Sequence, residues 1–429
     1  MAAEPAISIT TVDRPTYSLW QITAYALRLG TLGFGGPVAL VGYMHRDLVE
    51  HRKWISEADY KEGLTLAQLM PGPLAAQLAM YLGYVHYGVV GATLVGIAFV
   101  MPSFLMVLAL GWAYVTYGGL AWMQSVFYGV GASVIGIILL SAIKLTRKTI
   151  GQDRLLWLIY LASAGVTVVT ESEMITLFLG AGLLFWVIRT PGSSVRRIIC
   201  SLAAGIGLGL IQFFQSMSRH TAGNTESPVP VDHASSLSAL TDSTQWPQLV
   251  QILAFFTKAG AFVFGSGLAI VPFLYSGVVK EYHWLNDHQF LDAVAVAMIT
   301  PGPVVITVGF IGYIVAGLSG ASLAALGTFL PCYLFTIIPA PYFKKHGKRP
   351  GIVAFVDGVT AAAVGAIAGA VIVLGRRTIF GEGYIPDLPK VILLAATVGL
   401  LWKFKKLPEP VIVLAAALIG VVVYPLVPN

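Results

Sequence analysis

Apolar runs of about 20 residues recur from one end of the chain to the other, and each is long enough to cross a bilayer as a helix. In hydrocarbon every backbone N–H and C=O needs an internal partner, which leaves helices as the structure for such runs. Composition agrees: of 429 residues 57% are hydrophobic and 11% charged, where soluble proteins carry roughly a quarter charged residues. The expected fold is an all-α polytopic membrane protein.

Apolar segments fall near 18–44, 62–85, 88–116, 122–145, 154–171, 174–190 and 198–217, then 248–280, 290–314, 317–343, 352–375, 388–404 and 409–427. That reads as about 13 transmembrane helices, six and six around one linker helix. The polar stretch 215–245 reads as a flexible loop. The expected organisation is a tail at 1–16, a first repeat at 17–190, a linker helix and polar loop at 191–247, and a second repeat at 248–429. The first residues lack a basic stretch followed by an apolar core, so no cleavable signal is expected. Cys200 and Cys332 sit in apolar surroundings without ligand spacing and read as packing residues.

The two halves are related. Aligning 19–73 with 249–303 needs no gap and gives 15 identities in 55 positions. Trp54 matches Trp284, and Pro71-Gly72-Pro73 matches Pro301-Gly302-Pro303. After one deletion Pro102 matches Pro331, and Arg147-Lys148 matches Arg376-Arg377. Six crossings plus one linker would turn the second copy upside down, an architecture common among transporters. With the N-terminus inside, cytoplasmic segments hold 16 Lys and Arg and external ones 8, which favours a cytoplasmic N-terminus and an external C-terminus. Parallel repeats with one crossing miscounted remain the alternative.

Glycine and proline cluster inside the apolar segments at Phe34-Gly35-Gly36-Pro37, at Phe264-Gly265-Ser266-Gly267 and at the two PGP motifs. Broken backbone at membrane depth persists only where protein buries it or water lines it. Half-helix N-termini expose unpaired N–H groups and attract anions. Two motifs, each present twice, point to a binding site built from broken or re-entrant helices; a kink or close helix packing is the bland reading. Arg28 and Lys258 align six positions before the respective phenylalanines, in otherwise apolar sequence. Such a charge costs at least about 2.5–3.5 kcal/mol to insert, so the pair implies an anionic substrate, with snorkelling side chains as the alternative.

Glu62 aligns with Asp292, each nine positions before its PGP proline; the pair reads as partners for the cations or as proton carriers. Ser56 and Asn286 read as N-caps, with Glu57 and Asp287 in the first turns. Gln77 and Thr307, both six after the PGP proline, read as ligand hydrogen-bond donors or as interhelical bonds. Gln68 and Thr300 are the other polar side chains at membrane depth. Arg147 and Arg376 at segment ends read as interfacial anchors or as an anion funnel. The sequence lacks a GxxxxGK[ST] loop, HExxH, CxxC and a nucleophile elbow. Neither an ATP motor, an enzyme nor a cofactor is expected.

FGGP and FGSG, each followed 37 residues later by PGP, resemble the chromate ion transporter family, in its long-chain, two-domain bacterial form. The resemblance covers nearly the whole chain. It implies export of chromate across the bacterial inner membrane, proton-driven, conferring chromate resistance, with sulfate as competitor. It places the family's motif positions at Phe34–Pro37, Pro71–Pro73, Phe264–Gly267 and Pro301–Pro303. The residues themselves support a tetrahedral divalent oxyanion without selecting chromium. A sulfate transporter, a passive anion channel and a permease subunit remain alternatives, as do monomer and homodimer.

Overall fold

The computed structural model describes residues 16–33, 36–117, 121–170, 175–189, 246–262, 270–346, 350–380, 386–404 and 409–426. Every regular element among them is helical. Four stretches are long and apolar enough to cross a membrane: Leu74–Tyr117, Gln124–Arg147, Val304–Phe343 and Pro350–Phe380. The apolar segment at 198–217 and the polar loop at 215–245 lie outside the described residues.

The first half opens with α1 (Leu19–Leu32), started by Ser18, whose hydroxyl accepts from the Gln21 N–H while the Gln21 side chain accepts from the Ser18 N–H. Both N-terminal donors are thereby satisfied. The helix ends at Gly33, and α2 (Gly36–Met44) follows, continuing through π-helical turns at His45–His51. The chain reverses between them. A Cβ on Gly33 would lie 2.5 Å from a methyl of Leu40, and further out the Tyr25 hydroxyl reaches Asp47 at 3.4 Å.

The PGP motif makes a second reversal, between α3 (Glu57–Leu69) and the first part of α4 (Leu74–Tyr117). Ser56 caps α3 as expected, accepting from the Asp59 N–H. A Cβ on Gly63 would lie 2.2 Å from the Tyr81 ring, so the two arms run side by side. With 13 residues, α3 is only about 20 Å long, less than the hydrocarbon thickness.

Within α4 the chain turns a third time, at Gly88, with φ 58° and ψ −148°. Only glycine adopts that conformation cheaply. Beyond it Gly91 packs directly on Gly83, and Gly96 meets Met80. The remaining arm, residues 89–117, is long enough to cross on its own.

The second half repeats this path. It runs through α8 (Trp246–Phe262), α9 (Ile270–Leu274) with π-helical turns at Tyr275–Glu281, α10 (Asp287–Ile299), a short 3₁₀ turn Val304–Ile306 and α11 (Thr307–Ile337), then α12 (Ala340–His346). Asn286 caps α10, as the sequence predicts, through the Gln289 N–H. Gly317 turns α11 with φ 58° and ψ −147°, matching Gly88. Even the two non-glycine residues with positive φ among the described residues, Lys53 and His283, occupy aligned positions.

The segments read from sequence as single crossings at 18–44, 62–85 and 290–314 thus each contain a reversal. Hydropathy measures the length of an apolar run and is blind to its direction.

Later helices exchange partners between halves. α5 (Ala121–Thr149) packs with α14 (Leu388–Lys403) and α15 (Glu409–Val423), while α6 (Arg154–Thr170) and α7 (Ile175–Arg189) pack on α13 (Pro350–Phe380). Small residues make these contacts close: Gly129 lies against Gly420, and Gly358 against Gly182.

Candidate functional site

The broken tips of the hairpins converge on the middle of the long arms. Gly302 donates its N–H to the Gly33 carbonyl at 3.0 Å, which ties the second PGP to the end of α1. The buried Ser103, midway along residues 89–117, donates its hydroxyl to the Pro301 carbonyl at 2.8 Å and lies 3.3 Å from the Gly30 carbonyl. A Cβ on Gly302, whose φ is 90°, would lie 2.0 Å from that hydroxyl oxygen. Two turns from different halves of the sequence, the end of α1 and the second PGP, therefore share one buried junction with the α4 arm.

The first PGP has a corresponding setting with different chemistry. Cys332 stands where the repeat alignment matches Ser103, and it lies buried against Gly72. The Gln77 side chain folds back over this tip and donates its Nε2 to the Pro71 carbonyl at 2.7 Å. Its Oε1 is buried and accepts no hydrogen bond. At the matching position Thr307 is also buried, but its hydroxyl is satisfied by the Val304 carbonyl at 2.8 Å. Thr300 is likewise spent on its own helix, at the Ala297 carbonyl, and Gln68 is exposed.

Both repeat-matched carboxylates accept from tyrosines. Tyr81 donates to Glu62 at 2.6 Å within the first half. Tyr114, near the end of α4, donates to Asp292 of the second half at 2.8 Å. Asp292 is 8% exposed, and no cation among the described residues pairs with it. Such burial of a carboxyl with one neutral partner is costly to maintain as a charge.

Arg28 and Lys258 lie on the exposed faces of α1 and α8. The opposite faces carry Gly30 and Gly260, packed against the backbones of Phe99 and Thr328. The two cations are thus beside the hairpins and outside the buried junction; the Lys258 ammonium sits 6.0 Å from the centre of the Phe273 ring. Arg147 stacks on Trp402 at 5.6 Å, an arrangement suited to an interfacial anchor. Arg376 is exposed, whereas its neighbour Arg377 bonds Asp287 at 3.2 Å.

Gly36 and Pro37 begin α2, and Pro71, Gly72, Pro73, Pro301 and Pro303 complete the tips. Phe34, Gly35, Phe264, Gly265, Ser266 and Gly267 lie outside the described residues. The sequence reading missed Ser103, gave Cys332 only a packing role and missed Tyr114. The first two had a usable signal, since each directly follows a repeat-matched proline, Pro102 or Pro331.

Removing the Ser103 hydroxyl by Ser103→Ala leaves the Pro301 carbonyl buried without its donor, a loss of about 1–3 kcal/mol. The expected result is a lower unfolding temperature together with reduced flux, read by thermal unfolding in detergent and by transport.

Known proteins place this arrangement. The family model described as chromate transporter matches residues 20–186 and 250–421. A chromate transport protein of Cupriavidus metallidurans is 66% identical over 96% of this chain and 95% of its own. A probable chromate transport protein of Synechococcus elongatus is 60% identical over 95% of this chain and 96% of its own. A chromate transport protein of Pseudomonas aeruginosa is 31% identical over 96% of this chain and 94% of its own. No solved structure matches. With both halves covered by the model and relatives aligned almost end to end, the chain belongs to the chromate transporter family.

Proposed function

We propose that this protein is a secondary active transporter that exports chromate from the cytoplasm across the bacterial inner membrane, driven by the proton gradient and conferring chromate resistance. The observation that carries the reading is the junction of broken tips, where the Gly302 N–H meets the Gly33 carbonyl beside Ser103. Irregular backbone enclosed by protein at membrane depth is where transporters bind ions. The family's chromate names come from the relatives; the enclosed tips and flanking cations suit an oxyanion of that kind.

The two halves act as inverted repeats, bounded at 17–190 and 248–429, with the N-terminus cytoplasmic. Support comes from the ends of the 89–117 arm. Thr93, near its start, contacts the Tyr333 hydroxyl at 2.6 Å, late in the second half's long helix. Tyr114, near its end, bonds Asp292, near the open end of the second half's PGP hairpin. Long helices that pass each other head to tail fit two halves opening to opposite sides.

In this scheme Arg28 and Lys258 attract the anion as it approaches, Arg147 and Arg376 steer it at the interfaces, and the tips hold it. Asp292 and Glu62 exchange protons during the cycle. Sulfate, with the same shape and charge as chromate, competes.

Arg28→Ala and Lys258→Ala should each lower chromate flux about tenfold or more, and wild-type flux should decline with added salt as screening sets in. Flux in both variants equal to wild type would remove the cations from the route. Direction is tested in cells. Expression of the chain should lower cellular chromate and raise the tolerated dose; higher cellular chromate would make the protein an importer.

A further inference from the structure

The two PGP tips are built alike but finished differently. In the second, every polar group named above is satisfied: Ser103 serves the Pro301 carbonyl, the Gly302 N–H serves Gly33, and Thr307 serves Val304. In the first, Cys332 replaces the hydroxyl of Ser103, and Gln77 replaces the self-satisfied Thr307. The result is one orphaned acceptor, the Oε1 of Gln77, with no exposed surface on the residue. The Gln77 side chain lies over Gly72, 2.7 Å from where a Cβ would stand. Directly behind it begins the long helix from Leu74, whose first N–H groups have no intrahelical partner. A buried acceptor without a donor costs about 1–3 kcal/mol and persists where a ligand completes it.

We propose that the first tip is the oxyanion site and that it takes the singly protonated form of the oxyanion. This rests on the oxyanion-transport reading above and specifies its site. The N–H groups at the start of the helix hold the negative oxygens, and the ligand's own O–H donates to Gln77 Oε1. A fully deprotonated dianion offers that acceptor nothing. The substrate then carries a proton on the protein, and sulfate, which has no proton at neutral pH, competes more weakly than its shape alone would allow. Ionisable groups on the neighbouring elements are Glu62 of α3, bonded to Tyr81 one turn further along α4; Tyr25 of α1, bonded to Asp47; and Cys332 of α11.

The test is equilibrium binding of radiolabelled chromate to the purified full chain in detergent, at pH values on either side of chromate's second ionisation. Wild type should bind total chromate more weakly as pH rises through that ionisation. Gln77→Leu should lose about tenfold or more in affinity and lose the pH dependence. The ionisable neighbours are unchanged in that variant, so the lost dependence belongs to the ligand. A size-exclusion profile establishes that the variant is folded.

Chromate binding that survives Gln77→Leu, or that strengthens as pH rises, overturns the proposal and leaves the transport reading standing. Wild-type protein that binds no chromate at any pH refutes the substrate reading and this site with it.

Discussion

Gly302→Ala should bring chromate flux down to the background of empty liposomes. Alanine at φ 90° is strained, by about 1–2 kcal/mol for a left-handed residue. Its Cβ would also lie 2.0 Å from the Ser103 oxygen, far inside contact distance. Ser103 cannot yield without releasing the Pro301 carbonyl, which then lacks a donor in a buried setting. The tip must therefore withdraw from α4 and from Gly33, and the junction opens. Two comparisons make the argument specific. Gly302→Ala combined with Ser103→Ala should recover part of the flux, because the 2.0 Å collision is gone while strain, the 3.2 Å contacts and the unserved Pro301 carbonyl remain; the pair is non-additive for that reason. Gly72→Ala, at φ 140° and 2.7 Å from the end of the Gln77 side chain, should lower flux as well, because Gln77 moves aside only by releasing the Pro71 carbonyl. Flux measured at equal protein incorporation decides the order. Normal transport by Gly302→Ala would mean that the junction has no part in translocation.

Asp292→Asn should separate coupling from passage. Asparagine keeps the shape of the carboxyl, and its amide oxygen can still accept from the Tyr114 hydroxyl. It cannot take up or release a proton. Chromate accumulation against its gradient, driven by an imposed pH difference, should fall to background, while exchange of labelled for unlabelled chromate at equal pH continues. Glu62→Gln should have the smaller effect, because Glu62 is only half-buried and its tyrosine partner comes from the same half. Asp292, by contrast, bonds across halves to Tyr114 and so can respond to their relative movement. Loss of exchange and accumulation together in Asp292→Asn would make the residue structural. Unchanged accumulation would move the proton path elsewhere.

Much of this arrangement could be read from residues. Glycine and proline inside apolar runs marked the breaks, and their recurrence 230 positions apart marked the repeat. The caps at Ser56 and Asn286 followed from short polar side chains ahead of acidic first turns. Direction was hidden. The boundary read between 62–85 and 88–116, beside His86, falls at the Gly88 turn, whereas the reversals at the PGP motifs lie inside the runs 62–85 and 290–314. The exchange of α6 and α7 onto α13, and of α14 and α15 onto α5, depends on small residues meeting across long sequence separations. No local pattern encodes such partners.

The site was legible to the level of its tips. Arg28 and Lys258 were conspicuous as charges, yet their helical phase puts them on the face away from Gly30 and Gly260. The orphaned oxygen of Gln77 depends on the side chain folding back to the Pro71 carbonyl, which spacing along the chain does not specify.

The central claim is that the joined tips form a chromate route coupled to protons. The direct measurement is radiolabelled chromate uptake into liposomes that contain only this purified protein, with and without an imposed pH gradient. Uptake that follows the gradient, reverses when the gradient is reversed and declines with excess sulfate is the expected result. Chromate flux indifferent to the gradient would make the protein a passive channel, and absence of flux from well-incorporated protein would contradict the account.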